Sequence, residues 1–215
     1  MTITEPRPTA TTTTPHVTVL VDRCVGCQDC VVACKTENML PEDVFFTRTF
    51  VAESGQFPNV KRTYIPTLCN HCEDAPCQKV CPSGATYTRG DGIVMVDKDK
   101  CIGCSSCAVA CPYDQRTQLD AEAFKDGLFG SGQLTPFEEQ GYGRFTPGMV
   151  TKCDFCSGRV DAGLDPACVV TCPTDARIFG DLDDPESRPS RLIRERNGRP
   201  PLPEKNTRPK VYYVD

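Results

Sequence analysis

The cysteines of this chain are the residues whose number and spacing point to chemistry. Sixteen occur among 215 residues, in four groups of four with none left over. In chain order the groups are Cys24-Cys27-Cys30-Cys34, Cys69-Cys72-Cys77-Cys81, Cys101-Cys104-Cys107-Cys111 and Cys153-Cys156-Cys168-Cys172. Thiolates are soft ligands that suit iron–sulfur clusters, zinc or copper(I). All sixteen are therefore candidate metal ligands.

The spacing within the groups favours clusters of the [4Fe-4S] type. Groups one and three read C-x2-C-x2-C-x3-C, the run of bacterial ferredoxins, whose fourth cysteine binds the other cluster of a pair. Groups two and four widen one gap to four and eleven residues but keep three residues before the last cysteine. Proline follows that cysteine in groups two, three and four, where it prevents a helix from continuing. We expect four [4Fe-4S] clusters that carry electrons.

Two other uses of sixteen cysteines compete with this interpretation. A disulfide framework is typical of short secreted chains in an oxidising compartment. Structural zinc sites are usually built from two separated C-x2-C pairs, whereas two groups here form the continuous ferredoxin run. A structural zinc protein stays as the remote alternative.

Other residues near the cysteines are candidates for tuning the clusters. His71 lies between Cys69 and Cys72 and is expected to form hydrogen bonds, because the cysteines suffice as ligands. Cations near the groups would raise reduction potentials by offsetting the charge of a cluster, or they are solvated surface charges. These cations are Arg23, Lys35, Lys152 and Arg159.

Composition disfavours several classes of function. The formal net charge is −5, and with about two negative charges on each cluster it becomes about −13, which disfavours nucleic-acid binding. The chain has no G-x-S-x-G, Walker or G-x-G-x-x-G motif, so no catalytic residue is assigned. Its apolar runs are far shorter than the ~18 residues of a membrane helix, and no signal peptide is recognised. We expect synthesis in the cytoplasm, export only on a partner, and a position peripheral to the membrane.

A repeated unit of strand, cysteine loop, short helix and strand must position the ligands. The residues between the last two cysteines of groups one and three favour a helical turn, and extended segments follow at 84–89 and 176–181. A further strand is expected at 210–215. Strands that lead into the four groups are predicted at 17–21, 63–68, 93–96 and 149–152. This ferredoxin-like repeat predicts an α+β fold.

Over residues 17–182 the chain resembles the four-cluster iron–sulfur (beta) subunits of molybdopterin oxidoreductases. The resemblance rests on CVGCQDCVVACKTEN (24–38), YIPTLCNHCEDAPCQKVCPSGA (64–85), CIGCSSCAVACPYD (101–114) and the split fourth group within 152–187. It implies a non-catalytic subunit of anaerobic respiration, docked on a large subunit with a molybdenum or tungsten bis-pterin centre. Electrons would pass one at a time to a membrane quinone subunit or another carrier. A free-standing polyferredoxin that serves several enzymes is the alternative.

The resemblance leaves the substrate of the complex open. Subunits of this kind serve reductases of dimethyl sulfoxide, polysulfide, thiosulfate, tetrathionate and arsenate. Related dehydrogenases of aromatic thioesters contain similar sequence stretches, so the cysteine groups alone do not select one of these chemistries.

The resemblance also implies crossed ligation, in which the last cysteine of each group binds a neighbouring cluster. The implied sets are Cys24, Cys27, Cys30 and Cys172 for cluster 1; Cys69, Cys72, Cys77 and Cys111 for cluster 2; Cys101, Cys104, Cys107 and Cys81 for cluster 3; and Cys153, Cys156, Cys168 and Cys34 for cluster 4. An outer module (17–60 with 149–182) would then enclose an inner one (61–115). The remaining segments are a flexible tail (1–16), an insertion expected to dock a partner (116–148) and an extended Pro-rich tail (183–215).

Overall fold

The computed structural model describes residues 14–124 and 132–215. Most of the expected N-terminal tail (1–13) and the centre of the expected insertion (125–131) lie outside these ranges. Within them the strands are β1 Pro15–Leu20, β2 Thr47–Gln56, β3 Asn59–Leu68, β4 Thr86–Thr88, β5 Val94–Val96, β6 Thr117–Gln118, β7 Val150–Thr151, β8 Arg177–Asp181 and β9 Val211–Val214. The helices are α1 Asp29–Asn38, α2 Pro76–Lys79, α3 Ser106–Val109, α4 Pro136–Tyr142, α5 Ser157–Asp161, α6 Ala167–Val170 and α7 Arg188–Glu195. This mixture of elements agrees with the α+β class.

A three-stranded sheet joins the two ends of the described chain. β1 is its central strand, antiparallel to β8 and parallel to β9. All six residues of β1 are buried, as expected for a strand covered on both faces. β1 begins at Pro15, two residues earlier than predicted, because Pro15 and His16 also pair with β8.

A long hairpin, β2–β3, stands beside the first cysteine loop. Its ten residue pairs run from Thr47↔Leu68 to Gln56↔Asn59. The sequence analysis predicts only the second strand, at 63–68. The hairpin base meets the first cysteine loop at Gly26 (φ 69°), where an added Cβ would overlap the Tyr64 ring. Only glycine fits at that position.

Helix length in the cysteine loops follows the residue after the last cysteine. α2, α3 and α6 have four residues each, and a Cys-Pro pair follows each of them. The residue before a proline avoids the helical region, so these helices end early. In group one Lys35 takes the place of proline, and α1 extends to ten residues. The helical turn predicted there is therefore too short.

The C-terminal segment is folded where the sequence analysis expects an extended tail. Ser187 caps α7 by accepting a hydrogen bond from the Ser190 N–H at 3.3 Å. α7 then packs on the sheet so closely that an added Cβ at Gly180 would overlap Pro189. The expectation of an extended tail was wrong over residues 188–195. The proline there lies in the first turn of α7, where a helix tolerates it.

Cysteines form part of the main hydrophobic core. Buried residues from the sheet, hairpin base and cysteine loops pack into one cluster that includes Cys34, Cys69 and Cys153. Because these thiols occupy core positions, metal binding there would contribute directly to folding.

Candidate iron–sulfur centres

One pocket lies where the first cysteine loop meets the end of the fourth group. Its outer wall includes Thr49 and Pro66 of the hairpin base. The Ala176 N–H donates a hydrogen bond to Cys172 Sγ at 3.2 Å. The cysteines that line the pocket are Cys24, Cys27, Cys30 and Cys172.

A second pocket at the third group is built in the same way. Backbone N–H groups again point at sulfur: Thr86 donates to Cys81 Sγ and Val150 to Cys101 Sγ, both at 3.4 Å. The cysteines that line it are Cys81, Cys101, Cys104 and Cys107. Three sulfurs from one group thus face one sulfur from another in both pockets.

Cys34 lies with the fourth group in the interior. Burial raises the pKa of the Cys34 thiol, and the nearby thiols of Cys168 and Cys156 raise it further. The Asn38 side-chain amide donates to Cys34 Sγ at 3.5 Å and is 4.0 Å from Cys156 Sγ. The set brought together here is Cys34, Cys153, Cys156 and Cys168.

Cys111 lies with the second group. Burial raises the pKa of Cys72 to about 12, and the thiols of the same set add to the shift. Cys77 Sγ accepts a hydrogen bond from Arg116 Nη2 at 3.0 Å. The set is Cys69, Cys72, Cys77 and Cys111. We name the sets that contain Cys172 and Cys34 the outer quartets, and those that contain Cys111 and Cys81 the inner quartets.

The quartets offer the ligand type of an iron–sulfur cluster. Four thiolates around zinc lie about 3.8 Å apart, given a Zn–S bond of about 2.3 Å. In the part of the chain that the structure describes, no three ligating side chains converge on one metal-ion position. All sixteen cysteines are in that part, and none forms a disulfide. Soft sulfur ligands with backbone N–H donors at sulfur match the requirements of an iron–sulfur cluster.

The two pairs of quartets meet at an aromatic stack. The ring of His71 lies 3.7 Å from that of Phe155, centroid to centroid. His71 Nδ1 accepts a hydrogen bond from the Val94 N–H at 3.1 Å, so the expected hydrogen bonder contacts backbone rather than a sulfur. Burial lowers the pKa of His71 well below its usual value, and the ring is neutral. His71 stands two residues after Cys69, and Phe155 two residues after Cys153. Burial raises the pKa of Cys153, and the thiols of Cys34 and Cys69 raise it further.

The four cations singled out in the sequence contact oxygen atoms. Arg23 and Arg159 approach carboxylates at 4.0 and 3.2 Å. Lys35 and Lys152 donate to backbone carbonyls. The cations that do reach sulfur, Arg116 and Arg177, were missed.

In the sequence, these two arginines could have been found only from their position relative to the last cysteine of a group. Arg116 is the fifth residue after Cys111, and Arg177 is the fifth after Cys172. Both end the pattern C-P-x-D-x-R. Arg177 Nη1 lies 3.8 Å from Cys168 Sγ.

Four cysteine quartets on a repeated loop-and-helix unit define a protein of the multi-cluster ferredoxin class. The chain matches the 4Fe-4S dicluster domain family over residues 60–125 and 134–182, and a second family of the same description over 23–85. It belongs to this family, among the iron–sulfur electron-transfer subunits of reductases.

Three relatives illustrate the relationship. The chain is 46% identical to the iron–sulfur subunit of a putative dimethyl sulfoxide reductase of Halobacterium salinarum, over 90% of this chain and 76% of that protein. It is 43% identical to the arsenate respiratory reductase iron–sulfur subunit ArrB of a Shewanella species, over 90% and 93%. Identity to the thiosulfate reductase electron transfer subunit PhsB of Salmonella typhi is 40%, over 76% and 74%. The family resemblance found in the sequence is confirmed.

Across the described ranges, no helix has both the length and the apolar character needed to span a bilayer.

Proposed function

We propose that this chain relays electrons one at a time between a catalytic subunit with a molybdenum or tungsten bis-pterin centre and a membrane quinone subunit or another carrier. Four [4Fe-4S] clusters supply the one-electron chemistry. The observation that carries the proposal is the grouping of all sixteen cysteines into four sets, each with three sulfurs from one group and one from another.

Each quartet is assigned one cluster. The ligands are Cys24, Cys27, Cys30 and Cys172 for cluster 1, Cys69, Cys72, Cys77 and Cys111 for cluster 2, Cys101, Cys104, Cys107 and Cys81 for cluster 3, and Cys153, Cys156, Cys168 and Cys34 for cluster 4. The protein contributes thiolates, N–H donors to sulfur and a dry interior, which together set the reduction potential of each centre.

We place the four proposed clusters in a row, with an exposed ligand at each end. Cys27 belongs to one outer quartet and Cys104 to one inner quartet, and both are exposed. The other outer quartet and the other inner quartet meet at the His71–Phe155 stack. Electrons therefore enter at one exposed end and leave at the other.

The partner surfaces lie beside these two ends. Val25 and Ile102 are 56% and 68% exposed, and each follows the first cysteine of its group. Uncharged surface next to a ligand allows a partner to approach without desolvating a charge. The insertion at 116–148 remains the proposed docking element for the catalytic subunit, and the complex is peripheral to the membrane.

Anaerobic purification of the tagged protein from its own host tests the proposal. We expect a large pterin-containing subunit to co-purify, and the iron centres of the complex to be reoxidised when that subunit's substrate is added. A stable monomer that reduces several unrelated enzymes would support the polyferredoxin alternative instead.

A further inference from the structure

Two buried arginines occupy equivalent positions beside the quartets. Arg177 is 1% exposed and Arg116 is 6% exposed. Each is the fifth residue after the cysteine that its group donates to another quartet, Cys172 and Cys111 respectively. The common position places each guanidinium between the two quartets of a pair.

The contacts of the two guanidinium groups also correspond. Arg177 donates from Nη2 to Thr47 Oγ1 at 2.7 Å and from Nη1 to Cys168 Sγ at 3.8 Å. Arg116 donates from Nη1 to Thr86 Oγ1 at 3.1 Å and from Nη2 to a cysteine sulfur at 3.0 Å. Each guanidinium group is thus held by one threonine hydroxyl and one cysteine sulfur.

Within residues 14–124 and 132–215, the two guanidinium groups have no acidic side chain as a hydrogen-bond partner. Among the same residues, Arg177 Nε is buried without a hydrogen-bond partner. A buried cation without a counter-charge is strongly disfavoured. The negative charge that the geometry offers is on the cysteine quartets, and it increases by one unit whenever a centre accepts an electron.

We propose that Arg177 and Arg116 are matched fixed cations that stabilise the reduced state of the centres beside them, and so raise their reduction potentials. This inference rests on the proposed function. Arginine stays protonated throughout the physiological range, so the effect is constant with pH.

The test is a redox titration of the anaerobic protein followed by EPR, with Arg177→Gln and Arg116→Gln. Each variant is expected to shift one or both centres of its own pair to lower potential. The shift should change the reduced-to-oxidised ratio at least tenfold, about 59 mV for one electron. The same shift at pH 6 and pH 9 is expected.

Two exposed cations provide matched controls that remove the same charge. Arg23 precedes Cys24, and Lys79 lies between Cys77 and Cys81, but their side chains are 50% and 64% exposed. Because water screens them, Arg23→Gln and Lys79→Gln should change the ratio less than about twofold. Glutamine variants of the buried arginines that shift no more than these controls, or shift upward, would overturn the proposal.

If a glutamine variant loses iron, substitutions of the two threonines test the proposal instead. Thr47→Val and Thr86→Val keep the arginine charge but remove the hydroxyl group that holds the guanidinium in place. A smaller downward shift, with full iron content, supports the proposal, and an unchanged potential rejects it. Iron content and EPR signals of the unaltered protein test the proposed function itself, so failure of one idea is distinguishable from failure of the other.

Discussion

The outer and inner quartets reach the same arrangement from different chain connectivity. Cys81 and Cys111 exchange between groups that are adjacent in sequence, whereas Cys34 and Cys172 exchange between groups separated by more than half the chain. The outer quartets also contain more buried cysteines than the inner quartets. The buried cysteines of the outer quartets are Cys30, Cys34, Cys153, Cys156 and Cys168, against Cys69, Cys72 and Cys107 for the inner quartets.

The difference shows which features the site depends on. Loop lengths, helix lengths and burial all vary between the two pairs, and α1 is more than twice as long as α3. The three-plus-one sharing of cysteines and the buried arginine occur in both. The constant features are therefore the ones that hold and surround the centres, and the variable ones fit each pair into the rest of the fold.

The largest expected effect comes from removing a shared ligand. Cys172→Ala should destroy or convert the centre beside Cys24, because its fourth sulfur is lost, and leave the centre beside Cys153 intact. Cys34→Ala should do the reverse. EPR of the reduced protein and iron analysis measure both. Damage to the centre of the same group, instead of the neighbouring one, would mean that ligation is not crossed.

The next largest effect is expected from a substitution at the aromatic stack between the outer and inner quartets. Phe155 is 1% exposed and packs on His71 and Phe179. Phe155→Ala should lower the free energy of unfolding by roughly 3–5 kcal/mol, since it leaves a cavity in the core. Anaerobic denaturant unfolding measures this, with Phe137→Ala on the exposed face of α4 as a control that should change little. Equal effects of the two variants would contradict the packing.

A smaller effect is expected on the pH dependence of stability, through His16 in the three-stranded sheet. Burial lowers the pKa of His16 to about 4, against about 6.5 in an unfolded chain. The unfolded state therefore binds more protons between these values, so His16 contributes stability above pH 6.5 that is lost as the pH falls towards 4. From pH 7 to 5.5 the loss is about 1 kcal/mol.

Denaturant unfolding of His16→Gln at both pH values checks this contribution. The variant should lack that part of the pH dependence while other groups keep theirs. An unchanged pH dependence in the variant would show that His16 titrates normally in the folded protein.

The smallest effect is expected at the outer half of the hairpin. Arg62 and Glu53 form an exposed ion pair there. Because exposed pairs contribute little, Arg62→Gln should leave the unfolding midpoint and the potentials of all centres unchanged. A clear shift in either quantity would show that the hairpin is coupled to the quartets more strongly than its contacts indicate.

Local sequence signals predicted the elements that hold ligands. Short apolar runs before the cysteine groups indicated β1, β3 and β5, and the Cys-Pro pairs indicated where the short helices end. β2 was missed because TRTFVAESGQ has few apolar residues, and its pairing with β3 is visible only in the folded chain. α7 was missed because its proline and arginines resemble a linker.

The arginines show a different limit of sequence reasoning. Proximity to cysteine in sequence favoured Arg23 and Lys35, yet Arg177 reaches sulfur because Thr47, far away in the chain, holds its guanidinium. Only tertiary structure brings such partners together. A repeated C-P-x-D-x-R in two groups was the one local indication.

Iron and zinc analysis of the anaerobically purified protein, combined with Mössbauer spectroscopy, tests the central claim most directly. Four quartets of thiolates predict about sixteen iron atoms per chain, all in [4Fe-4S] clusters. Zinc in place of iron, or about eight irons with half of the cysteines free, would contradict a row of four centres.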